Sequence, residues 1–310
     1  MGGSLMASIR KKLTVNENDS KNTRMDLASA GVLGNWRPDE IAHMSRFDKI
    51  ASLCISESKN LGRPLNTFEM GCGECWSLRT LYKAYVIKKS AVISSYYGVD
   101  IDPACELENP YWSNAGEPLS ESAWFKIFNG KIKIQDVTVP RLDEKGKETN
   151  IFELESNSID FFWSTEVIEH MRPEFVPGWL DDAARVMRPN ALGYVSTPNY
   201  DGSNDKLPED HIYEWGFEEL KQELERNFHI ESVVGTFIQL PNLKKAMKTY
   251  VEPTVDGIPT HTNITRYPLA WRPEQFEMLK ERYGNHFLRV VCATPYPEFS
   301  NNCAWVLRKR

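Results

Sequence analysis

The sequence predicts an α/β fold built on a doubly wound, mostly parallel sheet, and three observations carry that prediction. Short apolar runs of strand length alternate with stretches of helical periodicity between about Leu65 and Ser196. The first of these runs enters a glycine turn that opens directly into a helical pattern. The next run, Tyr96 to Asp100, follows within the span a right-handed parallel crossover needs.

Residues 1–38 form a polar, aperiodic arm, typified by Asn16-Glu-Asn-Asp-Ser-Lys-Asn22, with too few apolar side chains to order it alone. The domain proper spans residues 39–310. From Asp39, the residues Ile41, Met44, Phe47, Ile50, Ala51 and Cys54 recur at three- and four-residue intervals, which predicts an amphipathic scaffold helix. Leu65–Met70 reads as a strand, Gly71-Cys72-Gly73 as a turn, and Ser77–Lys88 as a helix through Leu78, Leu81, Tyr82 and Tyr85. Further strands are expected at Lys131–Ile134, Ile159–Trp163 and Leu192–Ser196, with a helix at Trp179–Met187 between the last two. The tail then reads as helix Phe217–Phe228, strand Ile230–Phe237, helix Gln275–Tyr283 and closing strand Cys303–Leu307.

Two insertions interrupt this order, at about 102–128 and 241–297. The first holds Tyr111, Trp112, Trp124 and Phe125, aromatics that either pack beneath the loop or form a lid over a substrate. The second is proline-rich and irregular.

Composition excludes several classes. With 41% hydrophobic residues in a chain of 310, disorder and collagen-like structure are ruled out. No apolar stretch approaches the roughly 18 residues needed to cross a bilayer, and the start Met1-Gly-Gly-Ser lacks the apolar core of a secretion signal, so the expected location is cytoplasmic. The net charge of −6 argues against a general polyanion-coating role, although a local basic groove stays open at Lys244, Lys245 and Lys248 or at Arg308-Lys-Arg310. Six scattered cysteines without a signal peptide read as reduced thiols, and Cys72-Gly-Glu-Cys75, lacking a second pair at zinc-finger spacing, as two small residues in a turn.

In an open α/β sheet, ligands bind beyond the carboxyl ends of the strands where the strand order reverses. The first turn is therefore the place to look. Position 76, where a dinucleotide-binding GxGxxG needs its third glycine, is Trp76, which argues against NAD. Glu69, two residues before Gly71, would serve a diphosphate poorly and the ammonium of an amino-acid moiety well. Asp100 ends the second strand, where a carboxylate can accept both hydroxyls of a ribose, and Asp136 follows the third, where it can accept from an adenine amino group. Each acid taken singly also fits a simple cap of the next turn.

Taken in order, Phe68-Glu-Met-Gly-Cys-Gly73, Tyr97-Gly-Val-Asp100, Gln135-Asp136, Asp160-Phe-Phe-Trp-Ser-Thr-Glu-Val-Ile-Glu-His170, Arg185-Val-Met-Arg-Pro189 and Ser196-Thr-Pro-Asn199 resemble the class I S-adenosylmethionine-dependent methyltransferases. The resemblance covers about Leu65 to Phe237 and the closing strand. It implies a Rossmann-like, mostly parallel seven-stranded sheet with an antiparallel terminal strand, and S-adenosylmethionine as cofactor. By that resemblance Glu69, Gly71, Cys72 and Gly73 line the methionine part, Asp100 and Ile101 the ribose side, Asp136 and Val137 the adenine, and Ser164 completes the set. Two departures stand out: Cys75 occupies the place of a third glycine, and Asn190-Ala191 follows Pro189 where the family carries two glycines.

Glu166, Glu169 and His170 lie at i, i+3 and i+4, so a helical turn after the fourth strand would put all three on one face. His211, in Glu209-Asp-His-Ile-Tyr-Glu-Trp215, follows the fifth strand and so belongs to the same rim. Such oxygen and imidazole donors suit Mg²⁺ or Mn²⁺, with Fe²⁺ and Zn²⁺ also admissible. The stretch resembles two groups of O-methyltransferases with an ExxEH metal site, the small-RNA 3′-terminal 2′-O-methyltransferases and the ubiquinone-pathway enzymes. In the first group Thr-Pro-Asn precedes Asp-His-x-x-Glu-Trp, matched here by Thr197-Pro-Asn199 and Asp210-His-Ile-Tyr-Glu-Trp215.

The resemblance makes Glu166, Glu169, His170 and His211 metal ligands, with His170, His211 and Glu166 the catalytic group. Two schemes remain open. A cation lowers the pKa of the acceptor hydroxyl, or, without metal, His170 or His211 acts as general base. The acceptor is a hydroxyl on a small molecule, a nucleotide or sugar, or an RNA 3′ end. The rival of another class is a methyltransferase-fold partner subunit that binds cofactor without catalysis.

Overall fold

Apolar runs become strands of one seven-stranded sheet. The computed structural model describes residues 38–88, 91–108, 115–138, 144, 150–200, 207–236, 254–255, 258–259, 297–300 and 302–310. The strands are β1 (Leu65–Met70), β2 (Ile93–Asp100), β3 (Gly130–Ile134), β4 (Ile159–Thr165), β5 (Met187–Pro198), β6 (Phe228–Thr236) and β7 (Asn302–Lys309). They lie in the order β3-β2-β1-β4-β5-β7-β6. The pairs among β1 to β5 are parallel, and the closing strand β7 runs antiparallel to both β5 and β6.

Central strand β4 shows why the sheet needs cover on both faces. Phe161 and Trp163 are buried in one apolar cluster and Phe162 in the other, as the two-residue period of a strand requires. Helices α1 (Pro38–Leu61) and α2 (Trp76–Lys88) cover the first face through Phe47, Ile50, Cys54, Leu78 and Leu81. Helices α3 (Val176–Val186) and α4 (Phe217–Leu224) cover the second through Trp179, Leu180, Ala183, Leu220 and Leu224.

Several expected boundaries move. The helix expected to reach Phe228 stops at Leu224, and Phe228 instead opens β6, fully buried in the sheet core. A turn through Glu225-Arg-Asn227, closed by Asn227 N–H on the Leu224 carbonyl at 3.2 Å, makes the change of direction. The preceding helix ends at Val186 rather than Met187, because β5 begins five residues before Leu192.

Both glycine substitutions noted in the sequence keep the backbone that glycine would have supplied. Cys75 takes φ 56° and Asn190 φ 61°, both left-handed. Asparagine tolerates this region; cysteine does so at some cost.

In the first insertion, Trp124 and Phe125 lie on a single helical turn, Ala123–Lys126, and pack rather than form a lid. Phe125 is buried edge-on against Tyr96, while Trp124 Nε1 donates to Glu108 Oε1 at 2.8 Å under the Arg79 guanidinium. Tyr111 and Trp112 lie outside the described residues, as do the 1–37 arm, the expected helix Gln275–Tyr283 and Lys244, Lys245 and Lys248. Among the described residues, no helix is long and apolar enough to cross a membrane.

Candidate functional site

The sheet order reverses between β1 and β4, so the carboxyl ends of β1, β2, β4 and β5 meet at the switch point where open α/β sheets bind ligands. After β1 the chain turns through Gly71 (φ 69°) and Gly73 (φ 46°). Gly71 N–H donates to the Val99 carbonyl at 2.8 Å, which ties the turn to the end of β2. A Cβ on Gly71 would lie 2.1 Å from Val167 Cγ2, so the turn and the segment after β4 meet there with no room for a side chain.

Glu69 sits beneath this turn and is 2% exposed. Ser77 Oγ donates to Oε1 at 3.0 Å and Tyr96 Oη to Oε2 at 2.6 Å, so both oxygens support the turn from below. Burial pushes its carboxyl up to about 7, against the pull of the Tyr96 and Ser77 hydrogen bonds. Cys72 is buried beside it.

Asp100 accepts from Gly73 N–H at 2.7 Å and from Asp102 N–H at 3.0 Å, fixing its carboxylate at the mouth of the turn. Ile101 is exposed next to it. Asp136 Oδ1 accepts from the Thr138 N–H and Oγ1, an Asx turn of the plain capping kind, and Val137 packs on the core. Ser164, at the end of β4 opposite Met70, is buried, and its Oγ has no hydrogen-bond partner among the described residues.

The second group forms after β4. The expected helical turn is a single 3-10 turn covering Ile168–His170 only. Glu166 lies before it at φ 54°, and the shared face of i, i+3 and i+4 does not form. Glu166 instead accepts from Ser196 Oγ at 2.9 Å and from Asn302 Nδ2 at 2.9 and 2.8 Å, with Arg46 Nη2 at 3.5 Å. Burial opposes its charge, yet Arg46, His43 and these hydrogen bonds outweigh burial and hold the carboxyl below its usual range.

Glu169, His170 and His211 do converge, each with a donor atom within 4.8 Å of the others'. The Glu169 carbonyl accepts from Ile212 N–H at 2.7 Å and Tyr213 N–H at 3.1 Å, clipping the His211 segment onto the turn after β4. Glu169 is 1% exposed; Thr197 Oγ1 donates to its Oε2, while Oε1 has no hydrogen-bond partner among the described residues and faces His170 Nε2 at 3.9 Å. Burial and the neighbouring Glu166 charge push its carboxyl well above the ordinary range.

Both rings are oriented by their other nitrogen. His170 Nδ1 lies 2.7 Å from the Asp210 carbonyl, which can only accept, so Nδ1 carries the proton and Nε2 the lone pair. Burial keeps His170 below its ordinary value despite that bond. His211 Nδ1 donates to Glu214 Oε1 at 2.6 Å; burial opposes the charged ring, but Glu214 prevails and raises it.

Four residues that sequence reasoning missed thus shape the site: Thr197, Glu214, Asn302 and Arg46. Glu214 lies within the Asp210–Trp215 stretch, three residues after His211, and its type was a usable signal. Asn302 meets Glu166 across 136 positions, and nothing local announces it.

A family model described as a methyltransferase domain matches residues 42–250, and the chain belongs to that family. Its fold is the class I S-adenosylmethionine-dependent methyltransferase fold. No curated protein sequence matches. Among solved structures, an S-adenosylmethionine-dependent methyltransferase from Archaeoglobus fulgidus is 14% identical over 84% of this chain and 94% of its own, with a TM-score of 0.41. The 1,6-didemethyltoxoflavin N1-methyltransferase of Burkholderia thailandensis, solved with that substrate and S-adenosylhomocysteine, is 14% identical over 100% of this chain and 91% of its own, TM-score 0.44. The small RNA methyltransferase HEN1 is 14% identical over 94% of this chain but 27% of its own length, TM-score 0.49. At identities this low the likeness does not extend to substrate.

Proposed function

We propose that the protein is an S-adenosylmethionine-dependent O-methyltransferase in which Glu169, His170 and His211 hold a divalent cation beside the acceptor hydroxyl. One observation carries the metal: a fully buried carboxylate oxygen, Glu169 Oε1, without a hydrogen-bond donor yet facing an imidazole lone pair. Such an atom is costly unless a cation or proton satisfies it. Two imidazoles whose Nδ1 protons are pinned by Asp210 and Glu214 have the outer partners that metal-binding histidines keep. Donors of this mixed type admit Mg²⁺ or Mn²⁺, with Fe²⁺ and Zn²⁺ also admissible.

In this reading the turn at Gly71–Gly73 and buried Cys72 receive the methionine part of the cofactor, with Glu69 supporting the turn's floor. Asp100 and Ile101 take the ribose side, Asp136 and Val137 the adenine, and Ser164 completes the set. The cofactor supplies a methyl on a sulfonium, and a cation supplies the charge that lowers the acceptor hydroxyl's pKa. Glu166, held by Asn302 and Ser196, keeps a negative charge near the group without joining it. Transfer of that methyl to the acceptor oxygen would break the sulfur–carbon bond and would leave the hydroxyl proton to pass to solvent. The acceptor is a hydroxyl of a small molecule, nucleotide or sugar, with a diol-ended RNA as the macromolecular alternative, and the location is cytoplasmic.

A second reading is metal-independent. The neutral His170, with its lone pair on Nε2, then takes the proton as general base. Titration calorimetry of S-adenosylhomocysteine and Mn²⁺ into chelator-treated protein separates the two. Mn²⁺ binding that disappears in Glu169→Gln supports the metal; cofactor binding with no Mn²⁺ response leaves the base. No binding of S-adenosylhomocysteine would overturn the methyltransferase reading.

A further inference from the structure

Cys72 Sγ, Cys105 Sγ and a carboxylate oxygen of Asp100 all lie within 4.8 Å of one another. They come from three places: the turn after β1, the single 3-10 turn Pro103–Glu106, and the end of β2. Each is held in place. Cys72 N–H donates to the Val99 carbonyl at 3.2 Å, and Asp102 caps the turn bearing Cys105 by accepting from Ala104 N–H at 2.8 Å. Gly98 leaves room for one thiol, since a Cβ there would stand 3.0 Å from Cys72 Sγ. Cys105 has no part in methyl transfer as derived above, whereas Cys72 and Asp100 stand at the proposed cofactor turn, so the two thiols and the carboxylate meet where the methyl donor would bind.

We propose that Cys72, Cys105 and Asp100 form a second metal site, selective for a thiophilic divalent cation such as Zn²⁺ or Cd²⁺, and that filling it excludes the methyl donor. A tetrahedral Zn²⁺ with sulfur bonds of about 2.3 Å sets two sulfurs about 3.8 Å apart, so the donors need approach by no more than about 1 Å. Both thiols lose their protons to solvent as the two sulfur–metal bonds form. Asp100 supplies the third bond, and its partial exposure lets water take the fourth position. A thiol carries its proton near neutral pH and a metal-bound thiolate does not, so uptake must release protons. Thiolates select this ion against Mg²⁺ and Mn²⁺, which the Glu169, His170 and His211 group suits. The exclusion, unlike the site itself, rests on the proposed placement of the ribose at Asp100.

The test is titration of Cd²⁺ into reduced, chelator-stripped full-length protein, followed by thiolate-to-Cd²⁺ charge-transfer absorbance and by proton release. The expected result is one ion with the band and about two protons released per ion, as the two-thiolate site requires. The band should vanish in Cys72→Ala and in Cys105→Ala and persist in Cys292→Ser and in the double variant Glu169→Gln/His211→Ala. Asp100→Asn keeps both thiols and should weaken Cd²⁺ binding at least about tenfold with an unchanged circular dichroism spectrum. A band that survives both cysteine replacements, or no band with the folded protein, overturns the site. S-adenosylhomocysteine at about 100 times its Kd should weaken Cd²⁺ about 100-fold. If it binds and Cd²⁺ is unaffected, the exclusion is overturned and the site stands; if it does not bind at all, the cofactor reading has failed instead.

Discussion

Placing a methyl group on Gly71 perturbs the junction between the glycine turn after β1 and the segment after β4 at a cost the structure sets. The residue has φ 69°, where an L side chain costs roughly 1–2 kcal/mol. Its new Cβ would stand 2.1 Å from Val167 Cγ2, so Val167 must retreat by more than an ångström, adding about 1–3 kcal/mol of overpacking. Gly71→Ala is therefore expected to lose about 2–5 kcal/mol in urea denaturation and roughly 4–20 °C in Tm, the sensitivity of a domain this large being about 2–4 °C per kcal/mol. The double variant Gly71→Ala/Val167→Ala removes Cγ2 and should recover the packing part relative to Gly71→Ala, leaving the backbone part. Calorimetry should show weaker S-adenosylhomocysteine binding in the single variant, because the turn no longer lets backbone approach a ligand closely. A Gly71→Ala protein within about 0.5 kcal/mol of the parent, the range of ordinary surface changes, would refute this account of the turn.

Three further outcomes are expected. Glu69 titrates at about 7 in the fold against 4.5 as a free group, so the folded state keeps its proton longer than the unfolded chain and stability falls as pH rises between those values, by about 3 kcal/mol in all. Glu69→Gln should flatten that slope in denaturation curves taken from pH 4 to pH 8, and an unchanged slope would mean Glu69 is not the group responsible. Glu214→Ala frees the His211 ring and should weaken Mn²⁺ binding by about 10- to 100-fold while S-adenosylhomocysteine affinity holds, both measured by calorimetry. Asn302→Ala strips two hydrogen bonds from the Glu166 carboxylate and should cost about 1–3 kcal/mol in urea denaturation.

The alternation of strands and helices was legible because each element carries its own period: Phe161, Phe162 and Trp163 in β4, Leu78 and Leu81 in α2. The glycine turn, the acid at the end of β2 and the histidines after β4 and β5 were legible as residue types at fixed places along that alternation. What remained illegible depends on geometry between distant segments. Glu166 shares its i, i+3, i+4 spacing with Glu169 and His170, but a left-handed φ at that one residue breaks the helical turn, and spacing carries no sign of φ. Glu69 reads from its place as a partner for an ammonium group, and what its spacing did not announce is that Ser77 and Tyr96 donate to its two oxygens. The gathering of Cys72, Cys105 and Asp100 depends on how the first insertion folds back after β2, which no motif records.

Methyl transfer from labelled S-adenosylmethionine to diol-bearing acceptors, with chelator-treated protein assayed before and after Mn²⁺ is restored, tests the central claim most directly. The account predicts transfer to a hydroxyl oxygen that needs Mn²⁺ or Mg²⁺ and is lost in Glu169→Gln and His211→Ala while S-adenosylhomocysteine still binds. Transfer that proceeds equally well without metal and in both variants would contradict it.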